Sequence, residues 1–315
     1  MRNVPIFVLV AALVVAPAFA AEPKLKVALT FDDLPLNGML PVGKKPSDFA
    51  RDTVAVLKKY RIPPSYGFLN AKYLEHDPDG ALAYRIWIDS GNPLANHTYT
   101  HLDLTRNSVE EFQREILHNE PVLQLLMPPD GRLARAGHDW RWFRYPYLHE
   151  GDTLEKRREI RAFLAARGYR IAQTTLDWED YIWNSSHARC WLKQDEPAIE
   201  WLRESYLTAA RDFIRFQVAN SRLVFGRDIN HVMLLHLGSF SPHILPDLFK
   251  LLKQENFEIV TLEEAQKDPA YDYDPDIGAP GGGTLTELGM EAKKIAWPTA
   301  GPTFDRQRLL TICPL

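Results

Sequence analysis

The sequence predicts an α/β fold in which about seven strand–helix units close into a barrel. Short apolar strands alternate with amphipathic helices from residue 25 to residue 262, a pattern that argues for parallel strands joined by right-handed crossovers. The 315-residue length suits one barrel of roughly 250 residues with additions. A third observation bears on where chemistry would sit: the first strand, Leu25-Lys26-Val27-Ala28-Leu29-Thr30-Phe31-Asp32-Asp33, stops on two adjacent carboxylates.

Residues 1–20 hold one cation, Arg2, an apolar run from Ile6 to Val15, and small residues Ala18 and Ala20 around Phe19. This is the pattern of a secretory signal, with cleavage expected after Ala20. The apolar run is shorter than the roughly 20 residues a spanning helix needs. The chain is therefore expected to be exported, periplasmic or secreted, without a membrane partner after cleavage; an uncleaved anchor is the alternative. A formal charge of −4 leaves no basic footprint for nucleic acid, and 45% hydrophobic with 25% charged residues is an ordinary globular composition. Cys190 and Cys313 are the two cysteines; export permits a disulfide between them without requiring one.

Within the first strand, Val27, Leu29 and Phe31 alternate with smaller or polar neighbours, as in a half-buried strand. Aspartate disfavours strands, so Asp32 and Asp33 are expected where the strand ends. The plain alternative is that Asp-Asp-Leu-Pro only turns the chain. Ser47 can cap a helix over 48–60, and 62–69 reads as the second strand. A short helix over 81–89 is ended by Gly91, and Ser108 with Glu111 forms a capping box for a helix reaching 126. A brief strand over 142–145 follows. Asp152 opens a helix closed by Gly168, and 169–176 is again a strand. A long amphipathic helix over 197–218, a strand over 231–237, a helix over 242–254 and a last strand over 257–262 complete the alternation. Residues 21–265 thus form the barrel. Beyond them, Asp272-Tyr273-Asp274-Pro275-Asp276 and Gly281-Gly282-Gly283 predict an irregular tail over 266–315 with little structure of its own.

Several chemistry-bearing groups fall at expected strand ends. Two carboxylates one peptide apart either divide the work of proton acceptor and metal ligand or share a proton. His97-Thr98-Tyr99-Thr100-His101 sets two imidazoles four apart, which on a helical turn puts both within reach of one ion. Arg144-Tyr145-Pro146-Tyr147 closes one strand, Asp177-Trp178-Glu179-Asp180-Tyr181 another, and His236 ends Val232-Met233-Leu234-Leu235. Singly, Arg144 reads as a surface cation, Asp180 as a helix cap and His236 as a satisfied core histidine. Together they mark one end of one barrel, where the sites of such barrels are built.

In order, Thr30-Phe31-Asp32-Asp33, His97-Thr98-x-x-His101, Arg144-x-Pro146-Tyr147, Asp177-x-x-Asp180 and Leu235-His236 resemble the five motifs of the polysaccharide deacetylases, carbohydrate esterase family four. The resemblance spans residues 30–236 and implies the NodB homology domain, a distorted (β/α)7 barrel with a divalent metal, usually zinc, with cobalt as the other option. It further implies that Asp33, His97 and His101 hold the metal and that Asp32 is the general base acting on water. Arg144 would orient Asp32 and be paired with Asp180, and the Tyr147 backbone N–H would stabilise the oxyanion. His236 would be the general acid, with Leu234 in a small apolar pocket for the acetyl methyl and Tyr147 and Tyr181 as further substrate contacts. The chain departs from the pattern where Leu34-Pro35 follows the first motif in place of Gly, where Tyr181 replaces Trp, and in a lengthened crossover between Asp180 and His236 that carries Cys190. These changes spare the metal and acid–base groups and bear on substrate fit.

The resemblance implies a metal-dependent hydrolase that removes an acetyl group, N-acetyl before O-acetyl, from an acetylated oligo- or polysaccharide. A metal-independent cyclic amide hydrolase of similar fold is a second reading, against which the joint presence of Asp33, His97 and His101 argues. A third is an exported carbohydrate-binding protein with a vestigial site, in which Trp140, Trp142 and Tyr147 stack on sugars.

Overall fold

The strand Leu25–Leu34 (β1) is the hub of the molecule. In the computed structural model, which describes residues 24–314, it pairs in parallel with Tyr66–Leu69 (β2) along its upper half on one side. Leu94–Asn96 (β3), Trp142–Phe143 (β4) and Arg170–Ile171 (β5) extend the sheet beyond β2. His231–His236 (β6) pairs with β1 from Val27 to Asp32, and Phe257–Val260 (β7) pairs with its lower half, from Leu25 to Ala28. The order β5-β4-β3-β2-β1-β6 is a curled parallel sheet, and one bridge from Leu176 to Met233 spans the remaining gap. The (β/α)7 architecture expected from alternation is therefore present as a distorted half-barrel. The expected secretory signal over 1–20 lies outside the described residues.

β1 is buried on both faces, not one as its alternation suggested. Val27, Leu29 and Phe31 pack into the large core beneath the helices, whereas Ala28 joins Tyr66, Phe68, Ala95, Trp142, Ala172 and Val232 inside the curl. On that inner face the large rings of Tyr66, Phe68 and Trp142 are set among the small side chains Ala28, Ala95 and Ala172, so that together they fill the curl. The same alternation puts Thr30 and Asp32 on the inner side, both almost fully buried.

The helices form close to where the sequence places them. Ser108 and Glu111 make the reciprocal capping box at the start of Val109–Leu126. The helices Pro46–Lys59, Asp79–Asp89, Leu154–Ala166 and Ser241–Gln254 follow their strands. The long crossover holds two helices, Tyr181–Leu192 and Glu196–Phe225, where the sequence had suggested one over 197–218. Among the described residues no helix is long and apolar enough to cross a membrane.

The tail departs from expectation. In place of an irregular strand of chain, it carries the helices Leu285–Ala292, with its own capping box, and Arg306–Thr311. Leu285, Leu288 and Met290 are buried, Leu309 is buried beside the crossover, and Cys313 is bonded to Cys190 of Tyr181–Leu192. The Gly and Asp runs that signalled irregularity do hold no helix or strand over 273–284, but an apolar face at helical spacing, Leu285, Leu288 and Ala292, lay beyond them.

Candidate metal and acid–base site

Asp32 and Asp33 lie inside β1, not at its end, and a strand alone would send them to opposite faces. They converge because the register with β2 slips between Phe31 and Leu34, and Asp33 adopts a left-handed φ of 61°. A bulge of this kind re-aims one side chain. As a result His97 Nε2 stands 3.8 Å from Asp32 Oδ2 and 3.5 Å from Asp33 Oδ1.

The two histidines sit in the loop after β3, not on a helical turn. Thr98 and His101 both have positive φ, 64° and 62°, so four-residue spacing works here through a tight loop. Buried asparagines hold that loop. Asn70 donates to the carbonyls of His97 and Thr98 at 2.7 and 3.0 Å, and Asn96 Oδ1 accepts from Thr98 N–H at 2.9 Å. Asn119, from the capped helix, donates to Asn96 Oδ1 at 3.0 Å and to Leu69 O at 2.9 Å. None of these asparagines was singled out from the sequence; the available signal was a polar residue closing an apolar strand, Leu94-Ala95-Asn96.

His97 Nδ1 donates to the Arg144 carbonyl at 2.8 Å, which leaves Nε2 with its lone pair facing the carboxylates. His101 Nε2 is 3.2 Å from Asp33 Oδ1. Ligand atoms of Asp33, His97 and His101 all lie within 4.8 Å of one another. Asp33 Oδ2 accepts from Asn37 at 2.8 Å, yet Oδ1 is buried with no hydrogen-bond partner. An orphaned carboxylate oxygen facing two imidazole nitrogens fits a divalent cation. Burial works against ionisation of Asp33, but His97, His101 and His236 around it hold its pKa far below the usual range. Burial lowers His101 to about 4, keeping it neutral and able to coordinate.

Two pairs flank this cluster. Arg144, fully buried, donates to Asp32 at 3.2 Å, to Thr30 Oγ1 at 3.1 Å and to Ala172 O at 2.6 Å. The expected partnership of Arg144 with Asp180 is not formed. Asp180 instead accepts from the His236 ring Nδ1 at 2.6 Å and from the His236 backbone N–H at 3.0 Å. Burial alone would lower His236, but the Asp180 carboxylate, with Asp33 and Asp32 beyond, raises it to about 9. With Nδ1 so engaged, Nε2 is the free nitrogen, 3.9 Å from Asp33 Oδ2.

A cavity of about 490 Å³ is lined by Asp32, Asp33, His97, His101 and His236 together with Leu234, Tyr147, Tyr181 and Asp177. Tyr147 is 58% exposed, its ring lies 4.4 Å from that of His101, and its φ of 59° turns the backbone sharply. Among the described residues its backbone N–H has no hydrogen-bond partner. Tyr181 stands edge-on to His236 at 5.4 Å. Asp177, to which the sequence gave no role, is raised to about 7 by burial. Gly281 of the tail also lines the cavity and was unforeseen.

Fold and site together define a class: a curled parallel half-barrel whose strand ends carry an Asp-His-His cluster between two buried carboxylate pairs. The family model for polysaccharide deacetylases matches residues 20–170, just under half of the chain. Over 158 residues, half of this chain, it is 27% identical to the peptidoglycan-N-acetylglucosamine deacetylase of Bacillus cereus, covering 47% of it. Over 118 residues, 36% of this chain, it is 33% identical to the chitin disaccharide deacetylase of Vibrio alginolyticus, covering 24% of it. The chain thus spans less than half the length of these curated relatives. Among solved structures, a CE4 family pseudoenzyme from Bacillus anthracis shares the fold at 14% identity and a TM-score of 0.50, over 78% of this chain and 66% of that one. The matched segment contains Asp32, Asp33, His97, His101, Arg144 and Tyr147; Asp180 and His236 lie beyond it and are joined to them by the fold.

Proposed function

We propose that this chain is an exported, divalent-metal-dependent hydrolase that removes acetyl groups, N-acetyl before O-acetyl, from a carbohydrate. The observation that carries this reading is the convergence of Asp33, His97 and His101 on the same cavity as the Asp32–Arg144 and Asp180–His236 pairs. The two relatives' names support an acetylated amino sugar as substrate. The signal pattern over 1–20 and the Cys190–Cys313 bond support export.

A divalent ion, zinc before cobalt, held by Asp33, His97 and His101 would supply Lewis acidity to a water and to the acetyl carbonyl. The protein's own groups divide the remaining work. Asp32, fixed by Arg144, accepts the proton of the attacking water. The Tyr147 N–H donates to the carbonyl oxygen as negative charge grows on it. His236, oriented by Asp180, gives its Nε2 proton to the leaving nitrogen, so that the C–N bond breaks to acetate and amine. Leu234, at the end of β6, offers an apolar wall for the methyl group.

The test is acetate release from acetylated chitooligosaccharides, peptidoglycan fragments and acetylated xylan by protein loaded with zinc or cobalt. Release that stops on metal removal is expected. Turnover that survives chelation favours the cyclic amide reading, and sugar binding without release favours a vestigial site.

A further inference from the structure

The C-terminal segment builds a second space beside the catalytic cavity. Gly281 lines that cavity and also a groove of about 510 Å³, whose lining includes Glu287, Glu291, Lys294 and Trp297. Gly282 of the groove lies against the cavity's Tyr147 and His149, since a Cβ built there would fall 2.5 Å from His149 Cδ2 and 3.0 Å from Tyr147 O, so the two spaces are neighbours through packing as well as through shared lining. At Gly281 an added Cβ would meet nothing within 4 Å, which marks the junction as open.

Trp297 is the feature the catalytic reading does not use. Its ring stacks on Phe216 with centroids 5.7 Å apart and planes 11° from parallel, while the residue remains 47% exposed. An indole braced on one side and open on another is an apolar platform of fixed orientation. Glu291 and Lys294 stand exposed at the rim. A pyranose ring suits this combination: its C–H face packs on an aromatic ring while its hydroxyls meet carboxylate and ammonium groups.

We propose that this groove is a distal sugar subsite, occupied by a ring of the same oligosaccharide whose acetyl group lies between Asp33 and His236. For its occupant the inference rests on the deacetylase reading; for its place it rests on continuity with the cavity through Gly281. The substrate is then a chain of several sugars that crosses Gly281 and stacks on Trp297.

Calorimetric titration of the metal-loaded full chain with N-acetylglucosamine dimer, tetramer and hexamer, and with acetylated xylo-oligomers of the same lengths, tests this. Wild type should bind a hexamer about five- to tenfold more tightly than a dimer in at least one series, the size of effect expected from one stacked ring. In Trp297→Ala the hexamer-to-dimer ratio should fall toward one, and in Trp297→Phe most of it should return. Gly281→Phe, which puts a ring into the open junction, should lower the ratio as well. A change in overall folding weakens both lengths together and leaves the ratio in place. An unchanged ratio in Trp297→Ala overturns the subsite, as does a wild-type ratio of one or no binding of either series. Acetate release measured on the same samples separates the two readings: length-dependent binding without release sinks the deacetylase assignment and leaves the subsite standing.

Discussion

At the scale of single residues, the site divides like groups by environment. Asp32 is bound by a guanidinium, whereas Asp33 faces imidazoles and keeps one oxygen without a partner. Asp32→Asn should keep the metal and lose about 100- to 10,000-fold in turnover, the usual range for a general base, while Asp33→Asn should lose both. Metal content of the two purified variants, read beside their rates, decides; equal metal loss would show the roles are not divided. His236 is tested by its leaving group. Amide cleavage requires protonation of nitrogen, whereas an aryl acetate expels an oxygen anion stable without a proton. His236→Ala is expected to lose on the order of 100-fold or more on an N-acetylated oligosaccharide and much less on an aryl acetate. His97→Ala should depress both alike. If His236→Ala slows both reactions equally with metal retained, its assignment as acid is wrong.

At the scale of elements, the position of the histidines depends on groups that never touch substrate. Asn119, fully buried, ties the helix Val109–Leu126 to β2 and to Asn96, which in turn holds the His97 loop. Asn119→Ala should cost roughly 1–3 kcal/mol of stability, because it strands buried partners, and should weaken metal binding alongside. Denaturant unfolding with and without zinc measures both; unaltered metal affinity in a destabilised variant would sever the link from helix to loop. How far this site was legible follows from the same elements. Residue types, their order and the helix caps, such as Ser108 with Glu111, are local signals and are present in the sequence. The bulge that turns Asp33 beside Asp32 arises from the register with β2, a partner more than thirty residues along. The exchange of Asp180 from Arg144 to His236 likewise depends on how β6 meets the start of the helix Tyr181–Leu192, which no spacing reveals. Tail helices were masked by the glycine and aspartate runs that precede them.

At the scale of the whole molecule, the Cys190–Cys313 bond ties the end of the chain to the crossover across a sequence separation of 123. Cys190→Ser with Cys313→Ser should lose about 2–4 kcal/mol and leave the half-barrel folded, and unreduced wild type should show no titratable thiol after unfolding. Two free thiols refute the bond. Acid should also unfold the protein through its buried histidines. Burial lowers His187 to about 3 and His231 to about 4, while in the unfolded chain both titrate near 6.5. Their contribution is therefore complete above about pH 6.5 and is lost as pH falls toward 4, with a slope near 1.4 kcal/mol per pH unit for each proton taken up. Unfolding free energies measured between pH 7 and pH 4 test this, and His231→Gln should remove one proton from the slope. The hub position of β1 has a further consequence, for how the protein is made. Its partners His231 and Phe257 are more than two hundred residues away, so β1 cannot complete its pairing in synthesis until that length of chain has followed it. Contacts of such long range delay folding, and the central strand of the sheet waits without its β6 and β7 neighbours through most of synthesis.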